Sequence, residues 1–157
     1  MQDYTAMKEV LSICRDAEQG FRGAANAVKT PALREVFEQY SMERAEFANE
    51  LNRAAHSLGL QIDNPSGIGG VIHAGWITLK GVLTGHNEHQ ILVETRRGED
   101  LSVKAYREAL AMSLSERVRA LLQQQFERVQ QAHDRIQSLC ESTAPPPSPD
   151  QRTRQAH

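Results

Sequence analysis

The 157-residue chain has no long apolar run, and no stretch approaches the roughly 20 apolar residues a helix needs to span a bilayer. A membrane-spanning segment is therefore not expected. The start, Met1-Gln2-Asp3-Tyr4, lacks the basic-then-apolar pattern of a secretory leader. Cysteine is scarce. Cys14 and Cys140 are too few for a disulfide framework, and both lie on or beside apolar stripes, where a small buried thiol is the ordinary role. These absences point to the cytoplasm. A net charge of −2 and a pI near 6.3, with basic residues scattered among acidic ones, exclude the electrostatic footprint of a nucleic-acid binder. Aromatics make up 5% of the residues, which suits a helix bundle better than a β-sandwich. Catalytic motifs are also missing. Gly67, Gly69 and Gly70 lack the flanking strand and helix of a nucleotide loop, and no Ser/His/Asp or Cys/His grouping can be assembled.

What the chain does have is four apolar stripes at helical spacing. The first reads Met7, Leu11, Cys14, Glu18, Phe21, Ala25, Val28, and the second Leu33, Phe37, Tyr40, Arg44, Phe47, Leu51, Ala54, Leu58. The third reads Leu92, Thr95, Glu99, then Ser102 or Val103, Tyr106, and Ala109 or Leu110. The fourth reads Val118, Leu122, Gln125, Val129, Ala132, Ile136, Leu139. Each is broken near its middle by one polar residue: Glu18, Arg44, Glu99 and Gln125. A charge on a buried face is costly without a partner, so these four residues mark the place to look.

Punctuation between the stripes sets the organisation. A first helix from about Asp3 to Val28 meets Lys29-Thr30-Pro31, with Thr30 as N-cap and Pro31 at the first helical position. The second helix stops at Gly59. A third runs from about Asn87 to Met112, and the pattern Ser113-x-x-Glu116 reads as a capping box opening a fourth that ends near Glu141. The expected architecture is an all-α, ferritin-like four-helix bundle over 1–141, followed by a disordered proline-rich tail over 142–157. Residues 60–86 are numerous enough to cross the length of a helix about 37 Å long. In that case the second and third helices run parallel, whereas plain up-down alternation is the competing topology. Simple alternation brings Cys14 and Cys140 to the same end, and the crossover puts them at opposite ends. Within the crossover, the apolar stretch from Gly67 to Gly85 reads as a short fifth helix. Val71, Trp76 and Ile77 are its anchors, packed across the bundle or forming a dimer interface.

Residues equidistant from a tight turn face each other. Glu18 and Arg44 are centred on Pro31, and Glu99 and Gln125 on Met112, which puts all four at one level. Glu18 and Glu99, and likewise Arg44 and Gln125, are 81 residues apart, the mark of a possible hairpin duplication. One reading is a carboxylate-bridged iron or manganese pair with Glu18, Glu43, Glu46 and Glu99 as ligands. The other is a self-satisfied polar layer, with Arg44 between Glu18 and Glu99 and Gln125 closing the hydrogen bonding. Spacing favours the second, since Arg44 lies on the stripe while Glu43 and Glu46 flank it. Tyr40 and Tyr106 are read as core residues whose hydroxyls reach this layer. His133 is read as a hydrogen-bonded core-edge residue, and His86 and His89 as surface residues without a zinc-site pattern.

The runs Cys14-Arg15-Asp16-Ala17-Glu18-Gln19-Gly20-Phe21 and Glu43-Arg44-Ala45-Glu46-Phe47-Ala48-Asn49-Glu50-Leu51 carry a resemblance. So do His73-Ala74-Gly75-Trp76, Arg97-Gly98-Glu99-Asp100, Ala105 to Leu110, and Gln125 with His133-Asp134. Over roughly residues 4–140 they resemble an uncharacterised bacterial family of ferritin-like four-helix-bundle proteins known only as a domain of unknown function. Against the wider ferritin-like group, Glu18 and Glu99 match the ligand positions of the first and third helices, and Gln125 resembles a glutamine of the fourth. The Glu-x-x-His motif is absent: the second helix has Glu43-Arg44-Ala45-Glu46, and Glu127 is followed by Gln130. These departures count against ferroxidase activity and iron storage. The polar-layer reading leads to the expectation of a non-enzymatic protein with no cofactor that self-associates (a dimer favoured), and the resemblance alone implies a role in stress or adaptation. A di-iron or di-manganese oxidase or metal buffer is the alternative.

Overall fold

The computed structural model describes residues 1–62 and 87–144. They form four helices: α1 (Asp3–Ala27), α2 (Pro31–Ser57), α3 (Glu88–Leu110) and α4 (Glu116–Thr143). The expected short helix with Val71, Trp76 and Ile77 lies outside the described residues, as do residues 145–157. Helix α4 runs two residues past the expected start of the tail.

Local chemistry explains the boundaries. Val28 is extended, which ends α1, and Pro31 occupies a first-turn position of α2, where its missing N–H costs nothing. Gly59 adopts φ +72°, and the N–H groups of Leu60 and Gly59 bond to the carbonyls of Ala55 (2.9 Å) and His56 (3.0 Å). This Schellman motif needs a left-handed residue, hence glycine. Asn87 caps α3 by accepting from the Gln90 N–H at 2.9 Å. Two expected caps differ. Ser115, not Ser113, caps α4 by accepting from the Val118 N–H. Thr30 occupies the N-cap of α2, but its hydroxyl donates at 2.6 Å to Glu88, the first residue of α3. Glu88 also accepts from the N–H groups of Lys29 (2.9 Å) and Thr30 (2.7 Å). Its carboxylate thus supplies the negative charge that the start of α2 favours.

These bonds also fix the topology. Glu88 lies beside the start of α2, so α2 and α3 run in the same direction. At the other end, Gln2 and Ser113 exchange bonds of 2.7 and 2.9 Å, and Asp3 accepts from the Ser115 N–H at 2.9 Å. Helix α1 is therefore antiparallel to both α2 and α3, the arrangement expected with a crossover between the second and third helices. It packs closely on both. Helix α3 packs closely on α4, while α4 meets α2 mainly through long side chains, as in the 2.9 Å Arg128–Glu43 ion pair. Cys140 lies near the end of the bundle where α3 starts. Cys14 is not at the opposite end, as expected, but at mid-height, against Tyr106.

The core runs the length of this arrangement. Met7, Phe21, Phe37, Phe47, Leu51, Leu92, Leu122 and Ile136 are at most 1% exposed. Each contributes roughly 1.5–3 kcal/mol through burial, and truncating Phe37 to alanine would cost about 3–5 kcal/mol. On the third stripe the buried register is Ser102 and Ala109, with Val103 and Leu110 at the margin.

An internal repeat is visible, but at a different spacing from the 81 residues read in the sequence. Helix α3 starts 85 residues after α1 (Glu88 against Asp3), and α4 starts 85 after α2 (Glu116 against Pro31). Every buried residue of α3 and α4, moved back 85 positions, falls on a buried residue of α1 or α2. Glu99 thus corresponds to Cys14, Val129 to Arg44, Tyr106 to Phe21 and Gln125 to Tyr40. The bundle is two like hairpins, α1–α2 and α3–α4, packed around a pseudo-twofold axis.

Candidate functional site

At mid-height, Arg44 of α2 reaches Glu99 of α3. Its two terminal nitrogens donate to the two carboxylate oxygens, each at 2.6 Å. The side chains are 1% and 0% exposed. The planar guanidinium also lies over the Phe21 ring, 5.4 Å from its centre. Burial opposes the charge on Arg44, but Glu99 outweighs it and holds the guanidinium above its ordinary range. Fork-on-fork pairing of this kind is strong and orientation-specific.

A second polar chain lies along α3 from the first. The Tyr106 hydroxyl donates to Gln125 Oε1 at 2.8 Å, and Cys14 Sγ is 3.2 Å from the same hydroxyl. With the phenol proton directed at Gln125, the thiol is left to donate to the phenol oxygen. The Gln125 amide donates to the Phe47 carbonyl at 3.3 Å, tying α4 to α2. Burial pushes the Cys14 thiol up to about 11 and the Tyr106 phenol well above its usual range, so both stay protonated and neutral.

Of the four residues expected in one layer, the structure brings Arg44 and Glu99 together. Gln125 joins through Tyr106 and Phe47 rather than by touching the ion pair. Glu18 is not in the layer. Its carboxylate turns to Arg15 (3.5 Å) and Arg22 (3.2 Å) on the flank of α1, while Ser41 donates to its backbone carbonyl. The reason is register. The Ser41–Glu18 bond centres the first hairpin between Lys29 and Thr30 instead of on Pro31, which sets Cys14 opposite Arg44. The Tyr106–Gln125 and Asp100–His133 bonds likewise centre the second hairpin near Ser115–Glu116 rather than on Met112.

The remaining glutamates considered as metal ligands are also committed elsewhere. Glu43 pairs with Arg128 at 2.9 Å, and Glu46 pairs with Arg53 at 3.0 Å on the surface. Burial raises Glu43 despite Arg128 beside it. Among the described residues, no three His, Cys, Asp or Glu side chains gather as a metal-binding group.

Two residues do more than the sequence showed. Cys14 was read as a plain core thiol, yet it belongs to the polar chain; the 92-residue separation from Tyr106 left no local signal. His133 bridges Asp100 (2.6 Å) and Asp134 (3.3 Å) across α3 and α4. It sits at the wall of an open cleft of about 610 Å³ that Lys104, Arg107 and Gln130 also line. Burial would lower its imidazole, but hydrogen bonds to the two aspartates prevail and raise it. Tyr40 is not bonded to the ion pair; burial raises its phenol, with the Arg135 charge nearby working against the rise.

Fold and centre together define a four-helix bundle whose middle is closed by an internal ion pair. Comparison with protein families makes the assignment specific. The chain belongs to the family described as domain of unknown function (DUF2383), whose model matches residues 3–112. That match spans α1, α2 and α3, and therefore Cys14, Arg44, Glu99 and Tyr106; Gln125 lies beyond it. No curated protein matches the chain.

Proposed function

We propose that this protein is a ferritin-like bundle of the bacterial cytoplasm that works by association, not catalysis, with the Arg44–Glu99 pair standing where related bundles would hold metal. The observation that carries this reading is the bidentate, fully buried contact. Both oxygens of Glu99 are engaged by a fixed cation, so a metal would have to displace the guanidinium. Glu18, Glu43 and Glu46 each pair with an arginine, which speaks against their acting together as ligands of a di-metal centre. The neutral Cys14 and Tyr106 offer no nucleophile at physiological pH. Association with a second copy, a dimer first, is supported by the apolar composition of residues 67–85 with Trp76. A role in stress or adaptation rests on family resemblance.

The test is metal analysis of protein purified from cells supplemented with iron or manganese. Metal far below one ion per chain is expected. Near-stoichiometric metal that is lost in both Glu18→Ala and Glu99→Ala would overturn the reading in favour of a di-iron or di-manganese carboxylate protein.

A further inference from the structure

The 85-residue repeat raises a problem of partner choice. Each hairpin buries the same positions, so each could in principle pack against a second copy of itself. In a dimer, the α1–α2 hairpins of two chains would form one bundle and the α3–α4 hairpins another. The ends of the bundle do little to prevent this. Asp3 caps the start of α4 at Ser115, and Glu88, its repeat equivalent, caps the start of α2 at Thr30, itself equivalent to Ser115. Either acid would serve either hairpin. The next level inward is neutral in both, with Phe21 and Tyr40 matching Tyr106 and Gln125.

The centre is where the hairpins differ in charge. Arg44 corresponds to Val129 and Glu99 to Cys14, so the first hairpin carries a fully buried cation and the second a fully buried acid; beside them Glu43 and Arg128, 2.9 Å apart, are repeat equivalents as well and would each meet their own kind in a like pairing. Pairing of like hairpins would bury two arginines in one bundle and two glutamates in the other. Only the first hairpin against the second brings opposite charges together, at 2.6 Å. We propose that the Arg44–Glu99 pair is a sorting device: it makes each chain close on itself and bars assembly through like hairpins of two chains. The cost of burying such a pair is otherwise hard to justify, since well-packed apolar residues would serve stability as well. This inference rests on reading the centre as an ion pair and not a metal site, which the metal analysis tests separately.

The experiment uses the full chain with Gln2→Cys and Val28→Cys. In the closed chain these positions lie at opposite ends of α1, roughly 39 Å apart at 1.5 Å per residue, and their thiols cannot join. Val28 is the repeat equivalent of Ser113, the residue Gln2 now bonds. Like-hairpin pairing would therefore set the introduced thiol at position 2 of one chain against the introduced thiol at position 28 of another. After oxidation, a non-reducing gel should show no covalent dimer with the native centre. Two altered chains both carry Glu43→Gln and Arg128→Gln, which neutralises the neighbouring pair. Adding Arg44→Met with Glu99→Leu, which leaves both hairpins apolar there, should let a covalent dimer appear beside the closed chain, which keeps the advantage of intramolecular contact. Adding Cys14→Glu with Glu99→Leu instead puts both charges on the first hairpin, so that only like pairing brings them together, and should make the covalent dimer the main oxidised species. The proposal is overturned if the native centre cross-links as readily as the altered ones, or if both altered chains fold and neither cross-links. Loss of helical fold in both altered chains would also overturn it, because it requires these positions to accept either arrangement.

Discussion

Removing Arg44 should be one of the most damaging single changes this fold can suffer. Arg44→Ala leaves Glu99, fully buried, with neither of its two 2.6 Å donors, and it opens a void beside Phe21. Breaking a buried pair on one side costs about 3–5 kcal/mol, because a charge is stranded out of water. For a domain of this size, 1 kcal/mol moves Tm by about 2–4 °C, so the expected fall is roughly 6–20 °C. Thermal unfolding followed by circular dichroism gives the number directly. Replacing both partners with apolar residues, Arg44→Met and Glu99→Leu, should cost much less than Arg44→Ala alone. A Tm within about 2 °C of the parent for Arg44→Ala would refute the reasoning.

Other consequences can be checked the same way. Tyr106→Phe should cost about 1–3 kcal/mol in urea unfolding, since it strands the Gln125 carbonyl oxygen while keeping a ring that Phe21 shows this level can hold. The His133 imidazole is raised in the folded chain, so its stabilising effect should be complete below the unfolded value and vanish as pH rises through the folded one. The Tm gap between the parent and His133→Gln, measured from acid to alkaline pH, should accordingly close at the alkaline end. Glu88 behaves in the opposite sense. The Thr30 hydroxyl and its neighbouring N–H groups lower its carboxyl, so Glu88→Ala should cost about 1 kcal/mol at neutral pH and progressively less in acid. Cys14 should resist thiol reagents in the native state and react fully only after unfolding, as a kinetic thiol assay would show.

The stripes carried most of the fold. Period alone located four helices to within a few residues, because burial of a continuous face leaves a regular trace. The third stripe was ambiguous between Ser102 and Val103, and packing chose the smaller residue where α3 lies close to α1. What the sequence could not give was the vertical alignment of facing helices. The second hairpin is centred near Ser115–Glu116 rather than on Met112, which slides α4 past α3 by about seven residues, roughly two helical turns, and separates Gln125 from Glu99. In the same way, a hairpin centred on Lys29–Thr30 replaces Glu18 by Cys14 opposite Arg44. Glu18 misled for a second reason. Helix α1 touches two neighbours, so its buried face is broad, and Ala17 takes the inward position while Glu18 falls on the margin. The contact that defines the centre joins residues 55 apart in sequence, and no local pattern announces such a partnership.

Each loop end of the molecule is stitched by the opposite half: Glu88 fastens the first turn, and Gln2 with Asp3 fastens the last. Neither half can peel away from its tip without undoing a knot tied by the other. Unravelling should therefore begin nowhere in particular, with amide protons near the turns exchanging almost as slowly as those at mid-span, and the whole four-rod assembly melting in one step.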